Sequence, residues 1–167
     1  MKKPEIRLRK SAERVVFGLW KDASDRTVSR DIGSLADEYH RVSALPKGTV
    51  FPYFVLSRNY DGQSGRFELF VGSTVEKPGL ERLVLPAGDY ARVEVRPKLG
   101  FLWGAAVGAA KRYFYTRWIP QSPYRPLNLE YEYHTEKSRG PRPAIDLLFA
   151  VEPADGLKTG SGPEVES

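Results

Sequence analysis

The chain has 167 residues, 41% hydrophobic and 28% charged, which suits one globular domain large enough to bury a core without covalent staples. It contains no cysteine, which excludes disulfides and thiolate metal sites and fits a reducing compartment. A net charge of +5 raises nucleic acid as a partner, but the basic residues are scattered and no helix-turn-helix, finger or RNA-recognition motif accompanies them, so nucleic acid is not expected.

The one local basic excess, Lys2, Lys3, Arg7, Arg9 and Lys10, alternates with Ile6 and Leu8 and reads as a half-exposed first strand. No apolar run approaches the ~20 residues of a membrane span. Met1-Lys2-Lys3-Pro4 leads into no signal-peptide core. A soluble cytoplasmic protein without a membrane partner is the expectation. His40 and His134 are far apart and make no ligand spacing, so neither a metal nor a cofactor is expected.

After the first strand, Val15-Val16-Phe17-Gly18-Leu19-Trp20 predicts a buried strand. Ile32, Leu35, Ala36, Tyr39 and Val42 recur at helical spacing between Ser29 and Leu45, with Asp31 favourable in the first turn and Pro46-Lys47-Gly48 as a stop. Two strands follow, Val50 to Ser57 and Arg66 to Val75, around the turn Asn59-Tyr60-Asp61-Gly62, and Pro78-Gly79 closes the half.

The second half repeats the order. Leu83 to Val95 predicts a strand interrupted at Pro86-Ala87-Gly88, then a helix from Leu99 to about Trp118, a strand from Leu127 to His134, a loop over 135–141 and a strand from Ala144 to Val151. The repetition reads as a structural duplication. Gly100, Gly104 and Gly108 form a small-residue stripe that predicts close packing of this helix on the sheet, with Trp103, Phe114 and Trp118 supplying bulk. From Pro153 onward little can be buried, and a disordered tail over 153–167 is expected.

The most informative stretch joins Trp118-Ile119-Pro120-Gln121-Ser122-Pro123-Tyr124 to Leu129-Glu130-Tyr131-Glu132-Tyr133-His134. Carboxylates among aromatic rings make a pocket for a cationic or polarised apolar molecule, because rings supply area and charge supplies orientation. On a strand, Glu130, Glu132 and His134 share one face, and Leu129, Tyr131 and Tyr133 the other. The tyrosine face is expected against the helices, or lining the groove if the faces are inverted.

Leu85-Pro86-Ala87-Gly88-Asp89-Tyr90, Trp118-Ile119-Pro120-x-Ser122-x-Tyr124, a glutamate in the next strand, and a final apolar strand Ile145 to Val151 resemble, in that order, the GyrI-like small-molecule-binding family. That family is similar to the effector-binding domains of multidrug-responsive transcription activators. Gly72 in Leu69-Phe70-Val71-Gly72 fits its first-half strand, and the resemblance spans residues 5–152. It implies an α+β fold of duplicated strand-helix-strand-strand modules, about 5–77 and 80–152, forming a single domain over 1–152. The sheets would be antiparallel, with helices on one face and a ligand groove between the modules.

The resemblance also implies an acidic residue in that groove. The family's Glu-x-Tyr is replaced here by Glu130-x-Glu132-x-His134, so either glutamate can be the pocket acid. The implied ligand-binding set is Glu130, Glu132, Trp118, Tyr124, Tyr133 and, by symmetry, Tyr53. With the fold beginning near residue 5, the chain reads as a stand-alone binder of amphipathic, cationic or aromatic compounds rather than a regulator. The first alternative is hydrolysis of strained cyclopropane natural products, with Glu130 or Glu132 activating water. The second is inhibition of a topoisomerase through a protein contact. The residues do not fix an oligomeric state.

Overall fold

In the computed structural model, residues 3–97 and 103–154 are described. Strands β1 (Ile6–Ser11) and β2 (Arg14–Ser24) precede helix α1 (Val28–Ser43), and β3 (Tyr53–Arg58) and β4 (Arg66–Ser73) follow it. Then come β5 (Glu81–Leu85), β6 (Gly88–Val95), helix α2 (Trp103–Tyr113), β7 (Tyr124–His134) and β8 (Ile145–Pro153). Helix α1 begins where the buried Asp31 carboxylate takes a 2.6 Å hydrogen bond from Thr27 and lies 3.4 Å from Lys21. It ends at Ala44, whose left-handed backbone (φ 58°) turns the chain out before Pro46.

All eight strands form one antiparallel sheet in the order β1-β6-β8-β7-β3-β4-β2-β5. In that order β1 and β2 stand six places apart, yet only residues 12 and 13 join them. A flat sheet would separate them by about 29 Å at roughly 4.8 Å per strand, whereas such a link reaches about 10 Å. Residues 86 and 87 join β5 and β6 under the same constraint. The sheet must therefore curl until its two ends meet.

The curl separates two kinds of core. Val16, Phe54, Leu56, Phe70, Leu85, Tyr90, Tyr131, Leu148 and Ala150 form one buried cluster to which, among the described residues, no helix contributes, so it is the concave interior. On the convex face, Leu35 and Tyr39 of α1 cover Val55, Leu69 and Val71, while Val107 and Ala110 of α2 cover Ala91, Val93, Leu147 and Phe149. The two helix-covered cores are separate, and strands β3 and β7 run between them.

Several expectations change. Tyr131 and Tyr133 do not lie against the helices: they line the concave interior, where Phe54 meets their rings at 5.6 and 5.4 Å, and the glutamate face is the one beneath the helices. A curled sheet buries both faces, so apolar residues could occupy the face away from the helices. The glycine stripe is also misread. Gly104 and Gly108 are exposed with no atom near the position of a Cβ, and α2 packs instead through Trp103, Ala106, Val107 and Ala110; Gly100 lies outside the described residues.

The predicted helix to Trp118 is α-helical only as far as Tyr113 and widens into a π turn over Phe114–Trp118. Pro120 explains the widening, because it lacks an N–H and crowds the carbonyl four residues earlier. Strand β7 begins at Tyr124, earlier than Leu127, and accommodates Pro126 with a register shift between Pro126 and Glu130. Asn128 pins that irregularity, accepting from the Tyr60 N–H at 2.7 Å and donating to the Tyr60 carbonyl at 3.0 Å. The expected tail falls largely on residues outside those described.

Gly18 and Gly72 face each other across β2 and β4. A Cβ on Gly72 would meet the Phe17 carbonyl oxygen at 2.2 Å, so Gly72→Ala is expected to destabilise the fold by about 1–3 kcal/mol or more. Gly108→Ala, in open space on α2, is expected to stabilise it by about 0.5–1 kcal/mol. Urea midpoints for the two variants should move in opposite directions.

Candidate functional site

The seam between the two convex cores is where charge accumulates. Pairing of β3 with β7 sets Ser57 opposite Glu130, Val55 opposite Glu132 and Tyr53 opposite His134. On its other side β7 meets β8, with Phe149 opposite Glu130 and Leu147 opposite Glu132. Val55 belongs to the α1 core, and Leu147 and Phe149 to the α2 core. The alternation of β7 therefore places a polar strip along the line where two apolar cores stop. Its side chains are mostly buried: Glu130 is 14% exposed, Glu132 16% and His134 20%.

Glu130 is held from α2 and from the π turn that follows it. The Tyr115 hydroxyl donates to its Oε1 at 2.9 Å, and the Lys111 ammonium lies 3.0 Å from its Oε2. Burial opposes the charge on Lys111, but the carboxylates of Glu130 and Glu132 outweigh it and hold the lysine above its ordinary value. Burial, then the Glu130 charge and hydrogen bond, push the Tyr115 phenol well up. Glu132 has a different partner, the His134 Nε2 at 3.0 Å.

Aromatic groups enclose the His134 end. The Tyr53 ring lies 6.0 Å from His134, the His40 ring stacks at 6.1 Å on Tyr53, and Trp103 meets His134 edge-on at 6.4 Å. His40 itself is fixed through Nδ1, which lies 2.7 Å from the Leu45 carbonyl oxygen. The Tyr53 hydroxyl is buried and has no hydrogen-bond partner among the described residues. Its phenol is pushed well up, by burial first and then by Tyr39 and Glu132. A buried hydroxyl without a partner is uncommon and calls for a ligand or water that completes it.

The seam therefore holds Glu130, Glu132 and Tyr53 of the residues the sequence singled out. Tyr133 is on the concave side, beneath the Arg14 guanidinium at 5.0 Å. Trp118 and Tyr124 stack on each other at 6.1 Å against the end of the α2 core, six residues along β7 from Glu130. Lys111, Tyr115, Trp103, His40 and His134 take their places in the seam although the sequence reading left them out of the set. A four-residue spacing from Lys111 to Tyr115 was the available signal for the first two, since it puts both on one helix face. Among the described residues no group of acidic and imidazole side chains could hold a metal ion, and no helix is long and apolar enough to cross a membrane.

No protein-family model and no curated protein matches the chain. Among solved structures, the fold is that of the GyrI-like effector-binding domains. An integron cassette protein from the mobile metagenome of Vibrio cholerae is 16% identical over 88% of this chain and 95% of its own, with a TM-score of 0.65. SAV2435 bound to tetraphenylphosphonium is 10% identical over 89% of this chain and 94% of its own, also with a TM-score of 0.65. The EcmrR C-terminal domain is 14% identical over 90% of this chain and 98% of its own, with a TM-score of 0.55.

Burial of phenols has a consequence in alkali. Tyr39, Tyr53, Tyr90 (pushed up to about 12), Tyr115 and Tyr131 all have raised values caused mainly by burial. Each binds its proton more tightly folded than unfolded, so above the ordinary phenol value of 10.0 the folded chain holds more protons and stability falls as pH rises. Lys111 acts in the same sense: its contribution is complete below 10.5 and is lost as pH rises through its raised value. Urea midpoints followed by tryptophan fluorescence are expected to hold from pH 8 to 9.5 and fall steeply by pH 11.5. A midpoint constant to pH 11.5 would contradict this burial.

Proposed function

We propose that the protein binds an amphipathic aromatic cation in the seam between α1 and α2, with Glu132 facing the charge. Tyr53, His40, His134 and Trp103 would supply ring surface for the apolar part. The observation that carries this reading is the unequal provision for two mostly buried carboxylates. Glu130 has an ammonium and a phenol. Glu132 has a single imidazole nitrogen, beside aromatic rings and a hydroxyl without a partner among the described residues. A carboxylate removed from water is costly unless a cation faces it, and a ring-bearing cation satisfies both the charge and the adjoining apolar area. The GyrI-like fold supports the reading, as does a solved structure of that fold, SAV2435, bound to tetraphenylphosphonium.

The reading makes Glu132 the pocket acid and gives Glu130 to Lys111. Trp118, Tyr124 and Tyr133 serve the cores rather than the ligand. A cytoplasmic binding protein that senses or sequesters its ligand is the corresponding role. Nothing in the seam favours hydrolysis or topoisomerase inhibition over binding, so binding alone is proposed.

Isothermal titration with tetraphenylphosphonium tests it. Wild type is expected to bind one equivalent, and Glu132→Gln to bind at least about tenfold more weakly, a loss of about 1.4 kcal/mol, with an unchanged circular dichroism spectrum. Glu130→Gln should lose less. Unchanged affinity in Glu132→Gln, or no binding by wild type, would overturn the proposal.

A further inference from the structure

Lys111 is an unusual occupant of a seam read as a cation site, since it places a positive charge where the ligand's charge is expected. Its ammonium lies 3.0 Å from Glu130 Oε2, and both Glu130 and Glu132 act on it electrostatically. Tyr115, four residues on in the π turn that follows α2, engages the other oxygen of the same carboxylate at 2.9 Å. The phenol hydrogen-bonds one oxygen of Glu130 and the ammonium pairs with the other by charge, which leaves Glu132 without an ammonium.

On that reading of the seam, we infer that Lys111 is a tethered counter-cation that sets the charge of the ligand, admitting one positive charge and rejecting two. Glu130, Glu132 and Lys111 sum to one negative charge. A monocation facing Glu132 brings that sum to zero. A second ligand charge would enter the same mostly buried strip with no carboxylate left to face, and desolvation of an unpaired ion outweighs its attraction at longer range. Asp25 also acts on Lys111, but its carboxylate already accepts the Tyr60 hydroxyl at 2.6 Å on the β3–β4 side. Specificity then comes from a repulsive element built into the site as much as from an attractive one.

Two probes of matched shape isolate the charge: N-methyl-4-phenylpyridinium, a monocation, and N,N′-dimethyl-4,4′-bipyridinium, a dication. Titrations at pH 8 would compare wild type with Lys111→Met, Lys111→Arg, and the double variant Lys111→Met with Glu130→Gln. Wild type is expected to prefer the monocation. Lys111→Met frees Glu130 and should raise the dication-to-monocation affinity ratio at least about tenfold. Lys111→Arg should keep the wild-type ratio. The double variant restores the wild-type charge sum without the ion pair, and its ratio should return to the wild-type value.

A purely structural lysine would change stability, or affinity for both probes alike, without moving the dication-to-monocation ratio. An unchanged ratio in Lys111→Met, or a changed ratio that Glu130→Gln does not reverse, would overturn the inference while leaving cation binding intact. Wild type that binds neither the monocation nor tetraphenylphosphonium would overturn the binding proposal, and this inference with it.

Discussion

The fold depends on two connections that are too short for a flat sheet. Residues 12–13 and 86–87 must join strands that stand far apart in the strand order, and only a curled sheet permits both. Curling has opposite effects on the two faces. The concave face converges, and its side chains meet in one cluster drawn from β2 through β8. The convex face diverges, and the two helices that cover it make two cores rather than one. A strand between two cores can carry polar groups without breaking either. The seam is thus a product of closure, and β7 is the strand that uses it.

Putting charge there is tolerable only where partners are supplied. Glu130 illustrates a satisfied case: an ammonium and a phenol from one helix face engage its two oxygens. The supporting backbone is irregular on both sides. The π turn caused by Pro120 begins at Phe114, immediately before Tyr115, and the register shift in β7 ends at Glu130. Irregularities of this kind commonly re-aim side chains near sites. At the other end of the strip the provision is incomplete, with an imidazole for Glu132 and no partner for the Tyr53 hydroxyl among the described residues. The two ends thus differ in kind: Glu130 faces an ammonium and a phenol, and Glu132 a lone imidazole.

Much of this was legible in the sequence, and the limits have physical causes. Period-two alternation from Leu129 to His134 gave the correct partition of faces, and helical spacing gave α1 nearly to the residue. The assignment of faces to surroundings failed because both faces of a curled strand are buried, so hydrophobicity does not say which one meets a helix. The glycine stripe failed for a related reason: small residues permit close approach but do not require it, and Gly104 and Gly108 lie one position off the packed row. Lys111 and Tyr115 were hidden because their partner is distant in sequence. An exposed amphipathic face and a pair aimed at Glu130 have the same local pattern. Trp118 and Tyr124 entered the set through the resemblance, and their rings stack on each other at 6.1 Å against the end of the α2 core.

The seam also shows how a repeated architecture can yield a single asymmetric site. The strand order reads alike from either end, since β6-β8-β7 mirrors β2-β4-β3 and the edge strands β1 and β5 are exchanged between the halves. Strands β3 and β7 are therefore equivalent positions meeting at the centre. Their facing residues are not equivalent: Tyr53, Val55 and Ser57 carry no charge, whereas Glu130 and Glu132 carry two. The flanking helical segments continue the difference, with Tyr39 and His40 on α1, Lys111 on α2 and Tyr115 in the π turn after it. A symmetric seam would present the same chemistry twice and suit a symmetric occupant. This one is uncharged and largely aromatic along one wall and acidic along the other, which is the asymmetry on which the proposed ring-bearing cation rests.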